Sequence, residues 1–210
     1  MPLNTDGIMV ILSSPSGAGK TTLVNKISSI KDFNISISYT TREPRPNEKN
    51  GQHYFFVNKE KFEQLINSDD LIEYAKVFDN YYGTSKSKVL KLLKEGNQVL
   101  FDIDWQGTEQ IKEKKLEFKL ITFFILPPSR KELFDRLSKR DINDKAIVDL
   151  RMKQFDKDVL HWKDYDYVVV NDQLDKCCNE IINYIEHELK NNKINYDKDI
   201  IQKHINFLLN

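Results

Sequence analysis

Ile8 to Leu12 is a continuous apolar run, the pattern of a strand covered on both faces. A small-residue turn follows, and then Leu23, Val24, Ile27 and Ile30 recur at helical spacing. Phe33, Ile35, Ile37 and Tyr39 alternate with polar residues, which predicts one strand. The polar stretch TTREPRPNEKNG, Thr40 to Gly51, predicts a loop, because Pro44, Pro46 and Gly51 disfavour a helix or strand. Beyond it the pattern predicts a strand at 54–57, a helix at 59–67, a strand at 71–78 and a helix at 85–95 closed by Gly96. The strand Val99 to Ile103 is buried, 105–113 is helical, and Lys119 to Leu126 is a strong strand. Pro127 and Pro128 open a helix over 130–140 with Leu133, Phe134 and Leu137 inward. The charged link DINDK leads to a helix near 146–160. Tyr167 to Val170 is the last strand and 175–189 the last helix of the main pattern.

Strands alternating with helices imply a parallel sheet flanked by helices, an α/β fold. The polar excursions at about 35–90 and 130–155 read as lobes inserted into that core, within one domain spanning about 7–189. Residues 190–210 form an Asn/Lys-rich tail. Its Ile200, Ile201, Ile205 and Leu208 could make one or two amphipathic turns.

Charge adds exclusions. Lys plus Arg number 32 and Asp plus Glu 32 in the 210 residues, so no global field draws the chain to nucleic acid or an anionic membrane. No window approaches the roughly 18 apolar residues of a membrane span, and the start lacks a basic, oily leader, so a cytoplasmic protein is expected. Cys177 and Cys178, adjacent on a helical pattern, read as half-buried small residues in a reducing compartment. The four histidines are scattered without metal-ligand spacing.

The stretch SSPSGAGKTT supplies the first chemistry. A strand, a glycine turn and a helix N-terminus together cradle phosphate with backbone N–H groups and the helix dipole. Gly17 and Gly19 allow close approach, Lys20 would reach the β- and γ-phosphates, and the Thr21 hydroxyl would ligate Mg²⁺, with Thr22 a second hydroxyl nearby. The loop from Ser14 through Pro15, Ser16 and Ala18 completes a nucleotide-binding site. Its departure is Ser14, where the strict pattern has glycine.

A second anion site is expected in the loop. Arg42 and Arg45 offer two guanidinium forks and Tyr54 a phenol, with Tyr82 beside a glycine turn in FDNYYGTS. Solvated loop charges are the bland alternative. Glu73, amid apolar residues, could accept two N–H groups from a guanine edge, and Ser38 and Thr84 could donate to its O6. Asp102 and Asp104, read as facing one way at a strand end, suit Mg²⁺ through water and the acceptor base respectively. Arg136, Arg140 and Arg151 lie either side of the polar link and could neutralise a migrating phosphoryl group.

These pieces, SSPSGAGKTT, SYTTREPRPNEKNGQHYFF, LIEYAKVFDNYYGTS, VLFDIDWQG, ILPPS and YVVVND, resemble the guanylate kinase family in order and spacing. The resemblance implies a P-loop NTPase core with a parallel sheet, an inserted GMP-binding lobe and a short helical lid. It implies transfer of the γ-phosphoryl group of MgATP to GMP, with dGMP a further acceptor. It assigns GMP phosphate to Arg42, Arg45, Tyr54 and Tyr82, and guanine to Ser38, Glu73, Thr84 and Asp104. ATP falls to the glycine loop, with Asn171 at an adenine-side strand end, and the catalytic set becomes Lys20, Arg42, Arg136, Arg140 and Arg151. GMP and ATP are then the partners, and homo-oligomerisation is left open. The lid departs from the family pattern, reading SKRDINDKAI where G-R-G-T is usual. Two rivals are a phosphopeptide-binding scaffold module, which typically lacks a working P-loop, and a P-loop kinase acting on a ribose bisphosphate.

Overall fold

The computed structural model of the protein describes residues 7–140, 144–192 and 196–210. The chain divides into two compact units, the first made of residues up to Val10 with Asp32–Leu120, the second of Ile11–Lys31 with Ile121–Asn210. Strand β1 (Ile8–Ser13) is buried along its whole length, as its unbroken apolar run requires, and contributes to both units.

In the first unit β2 (Asn34–Ile35) lies parallel to β7 (Val99–Asp102), with Asn34 opposite Val99. The run expected as one strand from Phe33 to Tyr39 is therefore broken. Its second half is β3 (Ser38–Thr40), which joins a different sheet with β4 (Phe55–Phe56), β5 (Leu71–Val77) and β6 (Asn80–Ser85), in the order β4-β3-β6-β5. Strands β5 and β6 form a hairpin closed by Phe78 and Asp79, both in the left-handed region at φ 46° and 66°. That two-residue loop matches the twist of paired strands. The turn is thus at Phe78–Asp79, and Gly83, expected in a turn, is in mid-strand opposite Tyr74. Helix α2 (Lys59–Asn67) is capped by the Asn58 side chain and buries Phe62 and Leu65 against Leu71. Ser85 caps α3 (Lys86–Lys94), and Asp104 caps α4 (Trp105–Glu113).

In the second unit the end of β1 leads through the glycine turn into α1 (Lys20–Lys31). Strand β8 (Lys119–Leu126) pairs in parallel with β9 (Tyr167–Val170), from Phe123 opposite Tyr167 to Leu126 opposite Val170. The five parallel-type strands run β2-β7-β1-β8-β9, so β9 is an edge. Helices α5 (Arg130–Arg140), α6 (Lys145–Asp158) and α7 (Leu174–Leu189) follow the expected order, with α6 running on into a 3-10 helix at Val159–Asp164. Leu133 and Leu137 point inward from α5. Phe134, expected inward, is 41% exposed, because the two leucines at i and i+4 already define the buried stripe. Ile30 at the end of α1 is likewise exposed. The glycine-free link at 141–143 lies outside the described residues.

Residues 196–210 of the tail are more ordered than its composition suggests. Asp197 caps α8 (Lys198–Leu209), whose Ile201, Ile205 and Leu208 enter one apolar cluster with Leu133, Leu137, Phe155 and Trp162. Arg130 donates to the Leu208 carbonyl at 3.2 Å, and the His204 ring meets the Pro127 carbonyl at 3.0 Å. At the edge of the sheet the Val168 N–H donates to the Tyr196 hydroxyl at 2.7 Å. Cys177 and Cys178 are unbridged and fully buried, deeper than the half-burial expected; burial pushes the Cys177 thiol up to about 12. Among the described residues no helix is long and apolar enough to cross a membrane.

Candidate active site

The phosphate loop is built within the second unit. Gly17 and Gly19 have φ of 89° and 94°, a conformation that side chains rarely adopt. At Gly19 a Cβ would also fall 2.3 Å from Asn171 Nδ2, so both backbone and space require glycine. Ser14 is not among the residues with positive φ. Its hydroxyl donates to the Pro15 carbonyl at 2.9 Å, which explains why serine serves where the stricter pattern has glycine. Lys20 and Thr21 occupy the first turn of α1, beside the backbone N–H groups that a helix start leaves for an anion.

Three arginines converge on this loop from α5 and α6. Arg140 and Arg151 both donate to the Ser16 hydroxyl, at 3.2 Å and 2.9 Å. Arg136 reaches the carbonyls of Ala18 at 3.4 Å and Asn171 at 3.0 Å, steadied by Glu132 at 3.0 Å. The eleven-residue gap between Arg140 and Arg151 thus brings both to one hydroxyl. Asn171, 5% exposed, donates from Nδ2 to the Ala18 carbonyl at 2.8 Å, while its own N–H bonds the Leu126 carbonyl at 2.8 Å. It fastens the loop to the end of β9, a role the sequence does not announce.

The second set of residues gathers within the first unit. Ser38, Thr84 and Glu73 are directly opposite one another across β3, β6 and β5. All three are buried, and the Ser38 and Thr84 hydroxyls are 3.0 Å apart. A register shift between Leu71 and Glu73 makes Leu71, Ile72 and Glu73 all buried in succession, re-aiming the carboxylate as a bulge does.

Arg42 lies 5.5 Å over the Tyr54 ring, and Tyr54 meets Tyr82 edge-on at 6.0 Å between centroids. Burial, then the charge of Asp102, then Tyr82 push the Tyr54 hydroxyl well above the ordinary phenol range, so it stays a donor. Glu48 binds the two arginines together: Arg42 Nη2 donates to Oε1 at 2.9 Å and the Arg45 N–H donates to Oε2 at 2.8 Å. Burial opposes ionisation of Glu48, but Arg42 and the Arg45 N–H outweigh it and hold the carboxyl below its usual range. Burial likewise opposes the Arg42 charge and is outweighed chiefly by Glu48. Sequence reasoning missed Glu48, although Arg42, Arg45 and Glu48 recur every third residue in TTREPRPNE.

Asp104 is not on the strand with Asp102. It stands at the start of α4, accepting from the Gly107 N–H at 3.1 Å and from Gln106 Nε2 at 3.0 Å. The expectation that the two aspartates share one side of a strand end fails, because β7 stops at Asp102.

A family model described as Guanylate kinase matches residues 7–188. The chain belongs to the guanylate kinase family. Curated guanylate kinases are similar over most of the chain: that of Blochmanniella floridana is 48% identical over 169 residues, covering 79% of this chain and 80% of the relative. That of Shewanella violacea is 42% identical over 200 residues (93% and 96%), and that of Escherichia coli O157:H7 43% over 185 residues (87% and 88%). The crystal structure of guanylate kinase from Anaplasma phagocytophilum superposes with a TM-score of 0.74 at 33% identity, covering 89% of this chain and 88% of that one. The guanylate kinase model ends before Tyr196 and α8, which pack on the described core all the same.

Magnesium suits the donors present. It prefers oxygen ligands and commonly keeps waters and substrate phosphates, needing only one or two protein oxygens. Thr21 offers a hydroxyl on the first turn of α1. Among the described residues no group of three or more His, Cys, Asp or Glu could form an all-protein cage. The Thr21 hydroxyl fits an ion that keeps most of its ligands as waters and phosphates.

Proposed function

We propose that the protein transfers the γ-phosphoryl group of ATP to GMP, giving ADP and GDP in purine nucleotide metabolism, and accepts dGMP as well. The observation that carries this reading is the meeting of Arg140 and Arg151 on Ser16 in the glycine loop, two guanidinium groups from separate helices aimed at a phosphate cradle. ATP phosphates bind along Ser14 to Thr22, and Lys20 contacts the β- and γ-phosphates. Thr21 would hold Mg²⁺ arriving with ATP through its hydroxyl and Asp102 would hold it through water, and the ion would supply charge neutralisation at the phosphates. Arg42 and Arg45, with Tyr54 and Tyr82, hold the GMP phosphate. Ser38, Glu73 and Thr84 read guanine, and Asp104 assists from the start of α4. The acceptor is already a nucleophilic phosphate oxygen, so positioning and charge neutralisation carry the rate and no general base is required. Residues 35–90 act as the acceptor lobe and 130–155 as the lid. The protein works in the cytoplasm, where its two buried thiols remain unbridged.

A coupled ADP-release assay across GMP, dGMP, AMP, CMP, UMP and ribose bisphosphate tests the reading. GMP and dGMP should dominate. Turnover on ribose bisphosphate with none on GMP would instead support a different P-loop kinase.

A further inference from the structure

Strand β5 pairs with β6 along one side only, leaving its other rail open as the edge of the sheet. At Tyr74 that open rail is engaged by a side chain. The Tyr74 N–H donates to Gln110 Oε1 at 3.0 Å, and Gln110 Nε2 donates to the Tyr74 carbonyl at 2.6 Å. One amide thus satisfies both backbone groups as a neighbouring strand would. Tyr74 directly follows Glu73, just beyond the register shift that aims the carboxylate. One turn back on α4, Gly107 leaves the space that Glu73 occupies: a Cβ there would lie 2.4 Å from Glu73 Oε2 and 3.1 Å from its Cδ. Gly107 and Gln110, three apart, share one helix face, so α4 both grips the β5 backbone and admits the adjoining carboxylate.

We propose that Gln110 is a positioning residue for guanine discrimination: its bidentate bond to Tyr74 sets the height of β5 on α4, and so fixes Glu73 level with Ser38 and Thr84. This rests on the assignment of Glu73 to guanine. Two N–H groups on one carboxylate demand tight placement, since a small displacement lengthens both bonds at once. The phosphate-binding arginines lie in a different segment, so the effect should fall on base reading and spare turnover.

The test is steady-state kinetics of wild type, Gln110→Ala and Gln110→Met with GMP and with inosine monophosphate, which keeps N1–H and the 6-oxo group but lacks the 2-amino group. Glu73→Gln serves as the reference. Loss of the Gln110 amide should lower the GMP-to-inosine-monophosphate ratio of kcat/KM about fivefold, the order expected when one hydrogen bond is weakened. The change should come through KM for GMP, with kcat and KM for ATP within about twofold. The methionine variant keeps the side-chain bulk, so a shared loss in both variants assigns the effect to the amide. If Glu73→Gln lowers the ratio while both Gln110 variants retain it, the positioning role is overturned and the guanine assignment stands. If Glu73→Gln itself leaves the ratio unchanged, the guanine assignment falls and takes this inference with it.

Discussion

Replacing Asn171 by alanine isolates what holds the phosphate loop in shape. Its Nδ2 donates to the Ala18 carbonyl at 2.8 Å in a fully buried position, and the other donor on that oxygen, Arg136, is at a longer 3.4 Å. The variant therefore leaves a buried carbonyl with one weak partner, a loss of about 1–3 kcal/mol. For a chain of this length about 1 kcal/mol corresponds to roughly 2–4 °C in Tm, so a midpoint loss near 2 kcal/mol predicts a fall of about 4–8 °C. The same bond fixes the peptide preceding Gly19, whose N–H belongs to the cradle. KM for ATP should therefore rise about three- to tenfold while KM for GMP stays within about twofold. Asn171→Asp keeps the shape but turns an acceptor toward an acceptor, and should recover neither property. A further check uses Gly19→Ala, whose Cβ would overlap Asn171 Nδ2 at 2.3 Å. Combining it with Asn171→Ala removes the overlap but not the positive-φ strain, so the double variant should melt above the sum of the single losses. Calorimetry and ATP titration at saturating GMP measure all four proteins. A Tm within about 1 °C of wild type together with an unchanged KM for ATP would refute the argument that this bond shapes the loop.

Arg151→Ala should cut kcat by about 100-fold or more with KM for GMP within about twofold, and Arg151→Lys should recover only part, read by single-turnover kinetics. Glu48 has a native pKa below its unfolded value, so its contribution is present above about pH 4.3 and is lost as pH falls through the lowered native value. Glu48→Gln should accordingly flatten the decline of Tm with acid in that range and raise KM for GMP, measured by pH-dependent melting and initial rates. Ile205→Ala, at a site 1% exposed among Leu133, Leu137 and Trp162, should cost about 2–5 kcal/mol in urea denaturation followed by tryptophan emission.

The glycine loop was legible because its chemistry is local: a buried strand, two glycines, a lysine and a hydroxyl within one short stretch dictate an anion cradle. Ser38, Glu73 and Thr84 were legible only as residue types. What puts them in one row is the pairing of three strands and the irregularity at Ile72, and neither leaves a mark in the hydrophobic pattern. The β5–β6 hairpin hid for a related reason. Phe78 takes a left-handed conformation that bulky residues seldom adopt, so Gly83 drew the turn to the wrong place. The alternation from Phe33 to Tyr39 looked continuous because periodicity is blind to a strand leaving one sheet for another. Asp104 misled because its spacing from Asp102 assumes that the strand continues, whereas an aspartate ahead of a helical run is also a cap. The tail's amphipathic turns were legible in Ile201, Ile205 and Leu208, but α8 runs to 12 residues from the Asp197 cap and leaves Ile200 61% exposed, outside the buried stripe.

The Tyr196 hydroxyl on Val168 bears on how the protein behaves at high concentration. Strand β9 is a four-residue, uncharged, largely β-branched edge, the kind of margin on which another chain can pair. A phenol seated on its outward N–H blocks templating at that rung, and a covering of this sort turns a sticky margin into a terminus. Soluble yield and resistance to clumping on warming would then depend on a residue that lies beyond the stretch matched by the family model.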